Sequence, residues 1–202
     1  MSIRLVAVDV DGTLLTAGQK VLPRVQEAAA RAAAHGVELV LCTGRSAGEC
    51  REIFAALTQS RYAVLYTGAM VQNLQTGEVL YCCPLTADDA RLIYNHLRRY
   101  DGLVNFFMGG EVYNDRQAMD HFERYYPAEL KKLFEYGHKI VYDLDGMIAS
   151  CTQPVEKFYV AFSGDEECER AKADLGQLPY FVTGAGFTDL EVMNPNTNKG
   201  VA

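Results

Sequence analysis

Two carboxylates stand two residues apart in Asp9-Val10-Asp11-Gly12-Thr13, directly after an aliphatic run that begins at Ile3. Residues i and i+2 at the end of a strand project to the same side, so both acids can address one site. Two ionised carboxylates that close repel each other, and a bound cation relieves the repulsion, which makes Asp9 and Asp11 candidate metal ligands. The same pair suits group transfer. Asp9 can attack a phosphorus atom while Asp11 protonates the departing oxygen, and Gly12 lets the backbone turn away at once. A turn that merely uses Asp and Gly is the alternative; the preceding strand and the following Thr13 argue against it. A calcium loop fails on spacing, because counting from Asp9 its glycine position holds Leu14 and its final glutamate position holds Lys20.

Two further groups complete a candidate site. Thr43-Gly44-Arg45 ends a second strand-like run, where the Thr43 hydroxyl, backbone N–H groups freed by Gly44 and the Arg45 guanidinium can bind phosphate oxygens. Lys199, in the Asn-rich turn Asn194 to Gly200, can neutralise both a phosphate and an attacking carboxylate. Taken singly, a strand-end Thr-Gly is a turn and a lysine is solvated; their order behind the first motif gives them weight.

The elements that must hold these residues follow from periodicity. Ile3 to Val10 is a nearly unbroken apolar run, as expected of a strand buried on both faces of a parallel sheet. A helix from Pro23 to His35 follows, with Val25, Ala28, Ala29 and Ala32 on one face and Gly36 as its stop. Val37 to Cys42 reads as a strand, Ser46 caps a helix running to about Leu57, and Ala63 to Tyr66 reads as a third strand. Alternation of strand and helix implies a parallel sheet whose carboxyl-end loops share one edge, and Asp9, Asp11, Thr43 and Arg45 all fall there. Residues 70–83 read as a hairpin turning near Thr76-Gly77. From Pro84 to about Phe187 the order becomes α+β, with Phe106, Phe107, Tyr113, Phe122, Tyr125 and Tyr126 expected mostly in a core. Asp189 to Met193 is a short apolar strand leading to Lys199.

The charge balance of 19 basic against 26 acidic residues, with no basic run, argues against nucleic acid and polybasic membrane binding and favours small-solute partners. No apolar stretch approaches a bilayer span and the N-terminus lacks the parts of a secretory signal, so the expected location is cytoplasmic. Six scattered cysteines without a CxxC pair read as reduced thiols, and four dispersed histidines do not suggest zinc.

Asp9-Val10-Asp11-Gly12-Thr13-Leu14-Leu15, then Thr43-Gly44-Arg45, then Lys199-Gly200 resembles the first three motifs of the haloacid dehalogenase superfamily, and the α+β insert resembles the type IIB cap of its Cof-type phosphatase branch. The resemblance implies a Rossmann-like three-layer core over residues 1–83 and 188–202, with residues 84–187 as the inserted cap. It implies a phosphomonoester hydrolase that uses Mg2+ and an aspartyl-phosphate to act on a small sugar phosphate or similar metabolite. Asp9 is then the nucleophile, Asp11 the acid and later the base, Thr43 and Lys199 the phosphoryl-binding pair, and Asp9 and Asp11 the metal ligands. Gly12, Gly44 and Arg45 are expected to line the phosphate site.

The superfamily's fourth, acidic motif has no counterpart before Ala202. Asp143-Leu144-Asp145-Gly146 repeats the spelling of the first motif but reads as a turn of the insert. The expectation is therefore a chain that stops before its framework is complete, binds magnesium poorly and has little or no activity. Its sheet would lack the last strands and carry an open edge able to pair with another chain. Tyr66-Thr67-Gly68-Ala69 departs from the family's Asn before Gly-Ala. Two other functions fit the same residues: a phosphomutase-like phosphotransferase, and a non-catalytic binding module that keeps the fold.

Overall fold

A computed structural model describes residues 3–15, 20–184, 186 and 188–202, and the chain divides into two units, Met1–Cys83 with Thr197–Ala202, and Pro84–Asn196. The first unit is built on β1 (Leu5–Asp9), α1 (Pro23–Ala34), β2 (Glu38–Cys42), α2 (Arg51–Ala56), β3 (Tyr62–Leu65), β4 (Met70–Asn73) and β5 (Val79–Cys82). Its five strands lie in the order β1-β2-β3-β4-β5, the first three parallel and the last two an antiparallel hairpin.

Two local expectations need correction. Among the described residues β1 is the edge strand and pairs only with β2, so Leu5 and Val6 are 56% and 40% exposed rather than buried, while Val10 has no exposure. The helix expected from Ser46 begins at Arg51 instead. Ser46 N–H donates to Glu49 Oε2 at 2.7 Å and Glu49 N–H donates to Ser46 Oγ at 3.2 Å, the reciprocal pattern of a cap as expected, but it caps a turn over residues 47–50 that leads into the regular helix.

The second unit holds α3 (Ala87–Leu97), β6 (Gly102–Met108), β7 (Glu111–Asp115), α4 (Arg116–Asp120), α5 (Lys131–Gly137), β8 (Lys139–Val141), α6 (Leu144–Ala149), β9 (Val155–Phe162), α7 (Asp165–Leu175), β10 (Phe181–Thr183) and β11 (Asp189–Met193). Its six strands run β10-β11-β9-β6-β7-β8, antiparallel except for β7 with β8. Phe106, Phe158, Val160 and Leu190 pack with Ile93, Ile148 and Ala171 in one core. A second cluster joins Leu103, Met119 and Phe122 with Tyr126 and Phe134, so the aromatic residues of this stretch are largely core. The strand Asp189–Met193 was expected in the first sheet, but it pairs with β9, and the second crossing between units falls after Asn196 rather than at residue 188. Phe187, the expected last residue of the insert, lies outside the described residues. The second DxDG spelling, expected as a turn, instead starts α6: Asp143 Oδ1 accepts from Gly146 N–H at 2.7 Å as the helix cap, and Asp145 accepts from Tyr94 Oη at 2.5 Å and pairs with Arg98 at 2.6 Å.

One buried acid in this unit sets a pH dependence. Glu156, 8% exposed on β9, accepts from Gly109 N–H through Oε1, while its Oε2 is buried without a partner. Burial raises its pKa to about 7, only partly offset by backbone N–H groups. Because the folded state then holds a proton that the unfolded state has released, the contribution of Glu156 to stability is fully present below about pH 4.5 and is lost as pH rises through about 7. The loss is of order 3 kcal/mol. Glu156→Gln is expected to remove this component, which chemical denaturation of both proteins at pH 5 and pH 8 measures.

Candidate active site

Parallel pairing places Asp9 opposite Cys42 and Cys42 opposite Val64, so β1, β2 and β3 end level with one another. The loops that leave these ends carry the residues singled out from sequence. Gly12 adopts φ +73°, in the left-handed region that a side chain disfavours, and thereby turns the chain sharply after Asp11.

Two ion pairs organise the strand ends. Lys199 Nζ lies 2.5 Å from Asp9 Oδ1, and the two side chains are 38% and 41% exposed. Arg45 holds Asp11 through both oxygens, Nη2 to Oδ1 at 2.6 Å and Nε to Oδ2 at 3.0 Å, a fork geometry that fixes the carboxylate's orientation. Arg45 was expected at a phosphate; here its guanidinium faces Asp11. Burial lowers the Arg45 pKa, but the hydrogen bond and charge of Asp11 outweigh it and raise the net value. Thr43 is fully buried, and its Oγ1 accepts from Arg45 N–H at 3.1 Å, which leaves the hydroxyl proton free to donate. Neighbouring thiols are inert as nucleophiles: burial raises Cys42 and pushes Cys50 up to about 12. All six cysteines are unpaired, as read from their spacing.

Sequence reasoning noted Tyr66-Thr67-Gly68-Ala69 only as a departure from the family's spelling and gave the turn no structural part. Thr67 N–H donates to Thr43 O at 3.0 Å and Tyr66 N–H donates to Arg45 O at 3.1 Å, so this turn braces the second motif. The available signal was a Gly-Ala pair a few residues after the end of β3.

The donor set bears on magnesium. Mg2+ keeps several waters and takes one or two carboxylates together with substrate phosphate, and Asp9 with Asp11 meets that minimal pattern. Among the described residues no group of three His, Cys, Asp or Glu gathers to hold an ion.

The profile of the family described as haloacid dehalogenase-like hydrolase matches residues 6–202. The chain belongs to that family. Over 125 residues it is 34% identical to the putative phosphatase YxeH of Bacillus subtilis (strain 168), a match covering 60% of this chain and 46% of the relative. It is 37% identical over 90 residues to an HMP-PP phosphatase of Shigella flexneri, covering 45% of this chain and 33% of that one. The chain thus spans less than half the length of the curated relatives it matches. Among solved structures, the haloacid dehalogenase subclass IIB sugar phosphatase BT4131 shares the fold, with a TM-score of 0.75 at 14% identity over 98% of this chain and 72% of that one. Family membership agrees with the mixed α/β architecture, in which a Rossmann-type parallel sheet carries an inserted α+β unit. No helix among the described residues is long and apolar enough to cross a membrane.

Proposed function

We propose that this chain carries the phosphoryl-transfer site of a phosphatase acting on small phosphorylated metabolites, with Asp9 as nucleophile. The observation that supports this most is the pairing of Lys199 with Asp9, residues 190 positions apart, at the end of β1. The Asp9 carboxylate attacks the phosphorus of a phosphomonoester. As the bond to the alcohol oxygen breaks, Asp11, which enters the step protonated with one oxygen released from the Arg45 fork, gives the alcohol oxygen its proton. Asp11 then takes a proton from water, whose oxygen attacks the aspartyl-phosphate, and phosphate leaves with the Asp9 carboxylate restored. Lys199 offsets the repulsion between the Asp9 anion and the phosphoryl oxygens, and the Thr43 hydroxyl donates to one of those oxygens. Arg45 holds Asp11 in orientation. Magnesium, when bound, would be held by the Asp9 carboxylate and the Asp11 backbone carbonyl and would neutralise phosphoryl charge. With one protein carboxylate and one carbonyl its affinity is low, so saturation needs millimolar metal.

A coupled phosphate-release assay over a panel of sugar phosphates and phosphorylated cofactors, at increasing Mg2+ and with chelator, tests this reading. Expected is slow release of free phosphate that rises with Mg2+ without reaching a plateau at micromolar metal. Isomerised sugar phosphate without free phosphate would instead indicate a phosphomutase. Magnesium-independent release, or none with any substrate at millimolar Mg2+, would contradict the proposal, the latter pointing to a non-catalytic module.

A further inference from the structure

Three consecutive residues, Tyr66, Thr67 and Gly68, adopt left-handed φ of 50°, 60° and 105°. For a bulky aromatic and a β-branched residue this conformation is unfavourable, and it persists only where surrounding contacts over-determine it. Those contacts lie on two sides. On one side the turn's N–H groups reach the carbonyls of Thr43 and Arg45. On the other, Gly68 meets the backbone of the lysine loop, where a Cβ at position 68 would fall 2.4 Å from Asn198 C and O and 2.8 Å from Lys199 N. These are main-chain atoms, which cannot swing aside as the tip of a flexible side chain would.

The lysine loop is seated in two more ways. Asn198 Oδ1 accepts from Gly200 N–H at 2.9 Å and from Val201 N–H at 3.0 Å, which closes the loop on itself. Thr197 Oγ1 donates to Cys83 O at 3.1 Å, and Cys83 N–H donates to Ala69 O at 2.8 Å, tying the loop back to the residue after Gly68.

We propose that the Tyr66–Gly68 turn is the mount that sets Lys199 on Asp9, with Gly68 as a positioning residue whose missing side chain admits the Asn198–Lys199 backbone. The turn thereby fixes the spacing between the loop of Thr43 and Arg45 and the loop of Lys199. Any side chain at 68 lifts the lysine loop away from Asp9. Its importance for turnover rests on the phosphatase reading; the placement itself does not.

Site-resolved amine labelling, read by mass spectrometry on the intact folded chain, tests the mount without assaying catalysis. Lys139 and Lys172, with side chains 59% and 54% exposed, serve as internal references. Gly68→Ala is expected to raise Lys199 labelling about two- to fivefold over the references, the size expected when an exposed ion pair is lost. Thr67→Gly, which accepts φ of 60° without strain, is expected to leave it unchanged. Unchanged Lys199 labelling in a folded Gly68→Ala protein, or an equal rise in Thr67→Gly, would overturn the proposal. Should Gly68→Ala not fold, the unmodified chain decides: a nuclear Overhauser contact between Gly68 Hα and the Lys199 amide is expected, and its absence would overturn the proposal equally. A labelling shift in a chain that releases no phosphate would count against the phosphatase reading and leave the mount standing.

Discussion

Asp9→Asn is expected to lower phosphate release by about 10^4-fold or more, the scale seen when a covalent nucleophile is removed. The amide keeps the shape of the carboxylate and can still accept from Lys199 Nζ, so the loops around it have no reason to move. What it loses is the anionic oxygen that forms the bond to phosphorus. Stability should barely change, because both partners of the pair are more than a third exposed and such pairs contribute little. The combination is the informative result: an inactive protein with an unaltered denaturation midpoint assigns Asp9 to chemistry. A large loss of stability would assign it to structure.

Lys199→Ala is expected to lower kcat by about 10^2 to 10^3-fold, the usual cost of deleting one group that stabilises developing charge in a transition state. The ground-state contact at 2.5 Å means the ammonium already sits on the nucleophile, so the effect should fall on kcat more than on KM. Lys199→Arg is a sharper test. A guanidinium keeps the charge but is planar and broader, and it does not replace a point charge at a tightly seated position. Substantial recovery by arginine would mean that charge near the site suffices, whereas continued loss supports a requirement for geometry. Steady-state kinetics on the three proteins measure this.

Much of the site was legible because its signals are local. A hydrophobic run followed at once by Asp-Val-Asp-Gly marks a strand end, and β-α-β alternation places Thr43 and Arg45 at the same edge whatever the details of packing. Most of the insert's strands and its first and last long helices were legible from period, but α6 was not: Asp143-Leu144-Asp145-Gly146 spells a turn, and Asp143 instead caps a short helix over Leu144–Ala149. Long-range choices left no such mark. The run Asp189–Met193 says that a strand is buried, but not which sheet accepts it, and β9 does. An apolar run such as Leu5–Asp9 reads alike in the middle and at the edge of a sheet. The fork between Arg45 and Asp11 joins positions 34 apart, beyond any spacing rule. Gly68 looks like any turn glycine until the Asn198 backbone is found against it.

The central claim is that Asp9 takes the phosphoryl group, and peptide mapping of the chain quenched in acid during turnover of a phosphomonoester addresses it directly. The account predicts a hydroxylamine-sensitive phosphoryl group on the peptide containing Asp9, on no other peptide, and absent from Asp9→Asn. A phosphoryl group on a different residue, or phosphate release by Asp9→Asn at the unmodified rate, would contradict it.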